Sequence, residues 1–191
     1  MKKPTLGKGP KLSVRETVVP CQPLKRVSYF TGQMLSADDF TAEQDYHLNQ
    51  HRRHNRLCHG VGVVQGLKVS VAKDSSGGAV VVEPGFAIDP VGNEIQLCDP
   101  VRLPLGACRV PIYVLLRFKE ISTNPVPAPT GSTGGEEDGV VYSRIEEGYE
   151  VLLSPDVQGQ DCAPAVLPLA RLVRIGKAWQ VDKKYKTPRA H

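Results

Sequence analysis

The spacing of apolar and polar positions divides this chain into three regimes: no period, a helical period, and a long stretch of period two. Residues 1–26 carry Pro4, Pro10, Pro20 and Pro23 together with Gly7 and Gly9. Proline at this density breaks helices and removes amides that a central strand needs. An extended N-terminal arm over 1–26 is expected, laid along a neighbour or unstructured alone. A helical segment follows over 27–60. Ser36 begins the helix, its hydroxyl placed to cap the first turn, with Asp39 three residues on as the reciprocal partner. Asp38 and Asp39 suit the positive end of the helix dipole, and Arg52, Arg53 and Arg56 the negative end. No Gly or Pro intervenes before Gly60, a natural C-cap. Phe40, Tyr46, Leu48 and Leu57 are nearly its only apolar anchors, too few to bury a broad face in its own domain.

After Gly60 the period changes to that of strands. Val61 to Val71 reads as one strand, Asp74 to Gly78 as a turn and Ala79 to Glu83 as a β-branched strand. Phe86–Ile88 and Glu94–Leu97 flank Asp89-Pro-Val-Gly-Asn93, whose residues preset a turn and tolerate positive φ. Asp89 is expected to serve that turn by bonding its own backbone. Pro111 to Ile121 is the longest apolar strand, and the Pro-, Gly- and acid-rich run 124–139 reads as an exposed loop. Val140–Leu153, Leu167–Ile175 and Ala178–Val181 complete the strands, the last two joined at Gly176-Lys177. The fold class expected is α+β, mainly β: an N-terminal extended arm and long polar helix, then a small antiparallel β-sandwich or barrel over 61–182. A basic C-terminal tail, 183–191, closes the chain.

Composition narrows the function. Of 191 residues, 40% are hydrophobic and 23% charged, values of a globular chain able to bury a core. No apolar run approaches a membrane span, and the N-terminus lacks a secretory signal's apolar block. A soluble, cytoplasmic protein is expected. The five cysteines are odd in number, irregularly spaced and contain no CxxC pair, which argues for reduced thiols. The excess positive charge sits at the ends, in Lys2, Lys3, Lys8, Lys11 and Arg15 and in Lys183, Lys184, Lys186 and Arg189. No aromatic residues interleave with the N-terminal cluster, so solvated terminal charge is preferred to nucleic-acid binding.

The sharpest chemical constellation is His47, His51, His54 and Cys58, one helical face at spacings of 4, 3 and 4. Imidazoles and a thiolate one turn apart are zinc-ligand types. Four side chains strung over three turns of one helix cannot converge on one tetrahedral ion, so a site needs a partner helix. The preferred reading is a polar face making hydrogen bonds and stacking contacts, with no metal and no cofactor. Cys58-His59 lacks the third orienting group of a nucleophile. Glu146-Glu147 and Glu136-Glu137-Asp138 read as solvated acids rather than a glycosidase pair, and Gly60-Val-Gly62 opens onto a strand, not the helix of a phosphate cradle. No catalytic set is expected. The alternatives are a ligand- or glycan-binding β module of a fibre, with Trp179 and Tyr149 its candidate aromatics, or a zinc-binding module on the His47/His51/His54/Cys58 helix.

Residues 28–105 carry a string of separated motifs: Tyr29-Phe30-Thr31-Gly32-Gln33-Met34-Leu35-Ser36, then Asp39-Phe40, Glu43-Gln44 and Tyr46. Next come His54-Asn55-Arg56 and His59-Gly60-Val61-Gly62-Val63-Val64-Gln65-Gly66-Leu67. Pro84-Gly85-Phe86-Ala87-Ile88-Asp89 and Gly92-Asn93-Glu94-Ile95 complete the series. The series resembles a family of small proteins encoded in gene clusters for phage-tail-like contractile injection systems. The resemblance implies a structural or accessory subunit near the baseplate, cap or a peripheral attachment, and brings no catalytic residues. It implies other subunits of the particle as partners, multiple symmetric copies, and a cytoplasmic assembly that ends in a released or membrane-attached particle. Tyr29, Phe30, Phe40, Tyr46, His54 and Arg56 are the candidate partner-interface residues.

Overall fold

A computed structural model describes residues 24–72, 78–106, 111–128, 140–157, 165–176 and 178–191. The chain forms two compact units, one ending at Tyr46 and one running from His47 to His191. The expected N-terminal arm falls almost wholly outside the described residues, as do residues 74–77 of the expected Asp74–Gly78 turn and residues 129–139 of the 124–139 loop.

The chain is mainly β, with one helix and antiparallel sheets. Helix α1 spans Ala37–His54 and passes into a π turn, Asn55–His59, closed by Gly60 at φ +79°. The Ser36 cap forms as a reciprocal box. The Ser36 amide and hydroxyl each donate to Asp39 Oδ2 at 2.9 Å, and the Asp39 amide reaches Ser36 Oγ at 3.4 Å. No residue of α1 is buried, as its few apolar anchors predict. The bonds from Ser36 hold the Asp39 carboxyl below its usual pKa. Such a group stabilises its ionised form in the folded state, so its contribution stands above the ordinary carboxylate range and is lost as pH falls through the lowered value. We expect exchange of the Ser36 amide to accelerate only at pH below the normal aspartate range. An Asp39→Asn variant should lack that acid transition; persistence of the step would show that Asp39 does not cause it.

Ten strands follow: β1 Gly62–Gly66, β2 Val69–Ala72, β3 Ala79–Val82, β4 Gly85–Ile88, β5 Glu94–Leu97, β6 Val101–Pro104, β7 Ile112–Pro127, β8 Val140–Ser154, β9 Val166–Ile175 and β10 Ala178–Val181. They pair as three antiparallel sheets, β1-β4-β5, β2-β3-β6 and β10-β9-β7-β8. The inward faces of all three meet in one core that includes Val63, Val80, Val82, Ile95, Leu97, Val114, Leu116, Leu167, Leu172 and Trp179. β3 lies between two strands and is buried at three of its four positions, so it reads as a continuous apolar run rather than an alternation.

Three expectations are corrected here. The single strand expected over Val61–Val71 is broken into β1 and β2, because Gly66 and Leu67 turn through positive φ, +64° and +51°. At that corner Gly66 faces Gly85 in register, and a Cβ on either would run into the other's backbone. The exposed loop expected from residue 124 begins later, since β7 continues to Pro127 paired with Val140. Pro125 is tolerated there because β9 has already left β7 after Arg117, and a ribbon strand has one side free of ladder bonds. β6 was not anticipated, its four residues alternating too briefly to signal a strand.

Candidate functional site

The motif residues around His54 and Gly92 come together as a polar seam within the second unit. The β4–β5 hairpin makes its half of the seam. Asp89 is 1% exposed. Its Oδ1 accepts from the backbone amides of Val91, Gly92 and Asn93 at 2.8–2.9 Å, and its Oδ2 from Asn93 Nδ2 at 2.8 Å. A buried carboxylate is costly unless its lone pairs are filled; here four donors fill them. Asp89 therefore does what the sequence predicts, and it also orients Asn93.

The last turn of α1 supplies the other half. Arg52 Nε donates to Asn93 Oδ1 at 2.5 Å, and its Nη2 lies 3.3 Å from Glu120 Oε1 on β7. Asn55, 4% exposed, donates through Nδ2 to the Gly92 carbonyl at 3.0 Å and to Glu94 Oε1 at 3.2 Å. His51 Nε2 reaches the same Glu94 oxygen at 3.1 Å. Gly92, at φ +103°, lies so close to the Arg52 carbonyl that a Cβ has no room. A cleft of about 100 Å³ remains beside this seam, lined by Leu48, Phe118 and Glu147 among others. That is a few water molecules' space. Arg52, Asn55, His51, Asn93 and Glu94 are spent on one another, so the seam fastens the helix end to the hairpin.

The four metal-candidate residues do not converge. His51 is turned to Glu94, while Cys58 Sγ lies 3.6 Å from His54 Nδ1. His54 stacks edge-on against His59 at 5.3 Å between ring centres. Among the described residues no three His, Cys, Asp or Glu side chains gather as a metal-binding group. Trp179, the alternative reading's main aromatic, is 7% exposed and belongs to the core.

Of the candidate interface residues, Tyr29, Phe30 and Phe40 of the first unit are exposed and Tyr46 is half-buried. Met34, which the interface set omitted, is 92% exposed. In the second unit His54 is exposed and Arg56 half-buried. Sequence reasoning also missed exposed apolar side chains along β7 and β8: Ile121, Val126, Tyr142 and Ile145, which the register divides between the two faces of the ribbon. Their alternation looks like that of any half-buried strand, so nothing in the sequence sets them apart.

Lys183, Lys184, Lys186 and Arg189 of the C-terminal tail are exposed, as solvated terminal charge requires, while the tail's backbone is bonded to its own chain. The Val63 amide donates to the Pro188 carbonyl at 2.9 Å, and the Ala190 amide to the Val63 carbonyl at 3.3 Å. The His191 amide bonds the His59 carbonyl at 2.8 Å, and Thr187 Oγ1 the Leu169 carbonyl at 2.6 Å. β1 is an edge strand, and the tail covers its unpaired groups with a parallel bridge at Arg189. The tail is a closure of its own chain.

No protein-family model matches the chain, and no curated protein matches it. Solved structures do. A chain of the TssK-TssF-TssG baseplate subcomplex of the type VI secretion system, determined by cryo-electron microscopy, superposes with a TM-score of 0.52 at 18% identity. The match covers 87% of this chain and 62% of that one. A chain of the baseplate complex from the type VI secretion system gives 0.50 at 17% identity, covering 87% and 60%. The crystal structure of TssK gives 0.50 at 12% identity, covering 84% and 41%. The chain thus spans about two-fifths to three-fifths of the length of these structures. At such identities the likeness is one of fold. The fold is that found in baseplate proteins of a phage-tail-like contractile injection system, the class of machine that the motifs resemble.

Proposed function

We propose that this chain is a non-enzymatic structural or accessory subunit of a phage-tail-like contractile injection particle, placed at its baseplate, cap or a peripheral attachment. The observation that carries the reading is the agreement of two independent signs. The motif string of residues 28–105 resembles proteins of such gene clusters, and the backbone superposes on type VI secretion baseplate chains over 84–87% of its length. The exposed apolar side chains support it: Phe30 is 71%, Met34 92%, Leu57 73% and Ile145 68% exposed. Contiguous apolar patches mark surfaces that a neighbour covers, and Phe30 and Met34 lie four residues apart in one segment. The chain docks on those neighbours through residues 1–26, the Tyr29–Phe40 segment and the polar helix, in several symmetric copies assembled in the cytoplasm. None of its helices is long and apolar enough among the described residues to cross a membrane.

Affinity capture of the tagged protein from its native host, followed by mass spectrometry, tests this. Recovery of tube, sheath and baseplate subunits is expected, and a double variant Phe30→Ala, Met34→Ala should reduce that recovery without altering the β unit's thermal unfolding. Recovery of the enzymes of a metabolic pathway, with no particle subunit among them, would refute the reading.

A further inference from the structure

The sheet β10-β9-β7-β8 ends at β8, and among the described residues β7 is the only strand paired with it. One side of a 15-residue strand therefore presents a row of unmatched N–H and C=O groups. β9 leaves β7 at Arg117, so beyond it β7 and β8 run on as a two-stranded ribbon, an arrangement of marginal stability in water without a third strand.

The two open edges of the ribbon are not alike. Along β7 the edge is blunted by Pro125 and Pro127 and by Asn124, which sits at φ +57°. β8 contains no proline. It presents Tyr142 and Ile145, 51% and 68% exposed, followed by the adjacent carboxylates Glu146 and Glu147. The neighbouring acids are neutralised, Glu120 by Arg52 and Glu150 by Arg117. For Glu146 and Glu147 no ion pair occurs among the described residues. A second β8 laid against this edge with Glu146 and Glu147 opposite their own counterparts would bring like charges together, which destabilises cross-strand pairs. The edge suits a strand that is basic and β-branched.

The chain carries one such segment. Residues 11–19, Lys-Leu-Ser-Val-Arg-Glu-Thr-Val-Val, contain Leu12, Val14, Thr17, Val18 and Val19, with Lys8, Lys11 and Arg15 in or beside the run. Residues 1–23 hold five basic residues against one acidic. We propose that residues 11–19 of one copy add as a further strand to the β8 edge of a neighbouring copy, main-chain bonds supplying affinity and the basic charge of Lys11 and Arg15 complementing the acidic Glu146-Glu147 stretch of that edge. The inference rests on the proposed reading of the chain as a repeated subunit and gives its N-terminal arm a specific acceptor.

The test compares the full chain with Val14→Pro, which cannot continue a ladder, and with the double reversal Lys11→Glu, Arg15→Glu. Sedimentation velocity and amide hydrogen exchange are measured over a range of protein concentrations. The native chain should self-associate, and its outward β8 amides should gain protection as concentration rises. Both variants should stay monomeric and exchange those amides roughly tenfold faster, while β9 and β10 keep their native rates. Equal association and exchange in native and variant chains would overturn the proposal. So would β8 protection that is independent of concentration, since the arm would then lie on its own chain. A monomeric native protein that still captures particle subunits would reject the exchange and leave the proposed function standing.

Discussion

Asp89→Ala should lower the unfolding free energy by about 3 kcal/mol, the largest loss expected from any single polar substitution in the chain. The side chain answers four donors, and it is buried. Without it the amides of Val91 and Asn93 lose their acceptor, whereas that of Gly92 keeps the Asp89 carbonyl at 3.0 Å. An orphaned donor costs about 1–3 kcal/mol when buried; these two are part-buried and stand at the lower end of that range, and the release of Asn93 makes up the rest. Urea unfolding should show the midpoint displaced by about 1–2 M for a chain of this size. Asp89→Asn retains Oδ1 as acceptor but sets an amide nitrogen against Asn93 Nδ2, so its cost should be about 1 kcal/mol. If Asn and Ala prove equally harmful, the backbone bonds to Oδ1 are not what holds the turn.

Gly92→Ala should destabilise by a comparable amount, again about 3 kcal/mol, by a different mechanism. Positive φ costs a residue with a Cβ on the order of 1 kcal/mol or more. The Cβ would also meet the Arg52 carbonyl, so hairpin and helix end must part. Parting them strains the Asn55, Arg52 and His51 contacts at once. Gly106→Ala is the control, since Gly106 has φ +45° and a Cβ there meets nothing within 4 Å. It should show the conformational cost alone, about 1 kcal/mol. Faster amide exchange over His51–His59 in Gly92→Ala, and not in Gly106→Ala, would locate the damage in the seam. Matching losses in the two variants would mean that close approach to the helix contributes nothing.

Much of this architecture is legible one residue at a time. The Ser36–Asp39 box, the Gly60 stop and the Asp89–Asn93 turn depend on contacts within a few positions, and each forms as its residues predict. Strand alternation over β5, β9 and β10 likewise follows from neighbours two apart. The split between β1 and β2 was not legible, because Leu67, a residue without turn preference, takes positive φ at a corner packed against Pro84 and Gly85 nearly twenty residues away. The extension of β7 past Asn124 was hidden for a related reason. Pro, Asn and Thr argue for a loop locally, and the pairing with β8 overrides them. His54-Asn55-Arg56 and Gly92-Asn93-Glu94 were visible as motifs, yet that they bind each other was not.

From its amino acids alone this protein is committed to being mainly β behind a polar, apolar-poor helix, since side-chain period and capping chemistry are properties of adjacent residues. Tertiary structure alone decided that Asn55 is buried against Gly92, that the basic tail closes β1, and that β8 is left with an open edge. Those outcomes depend on which backbone groups remain unpaired after the sheets have formed. That is a property of the whole chain, with no local signature to read.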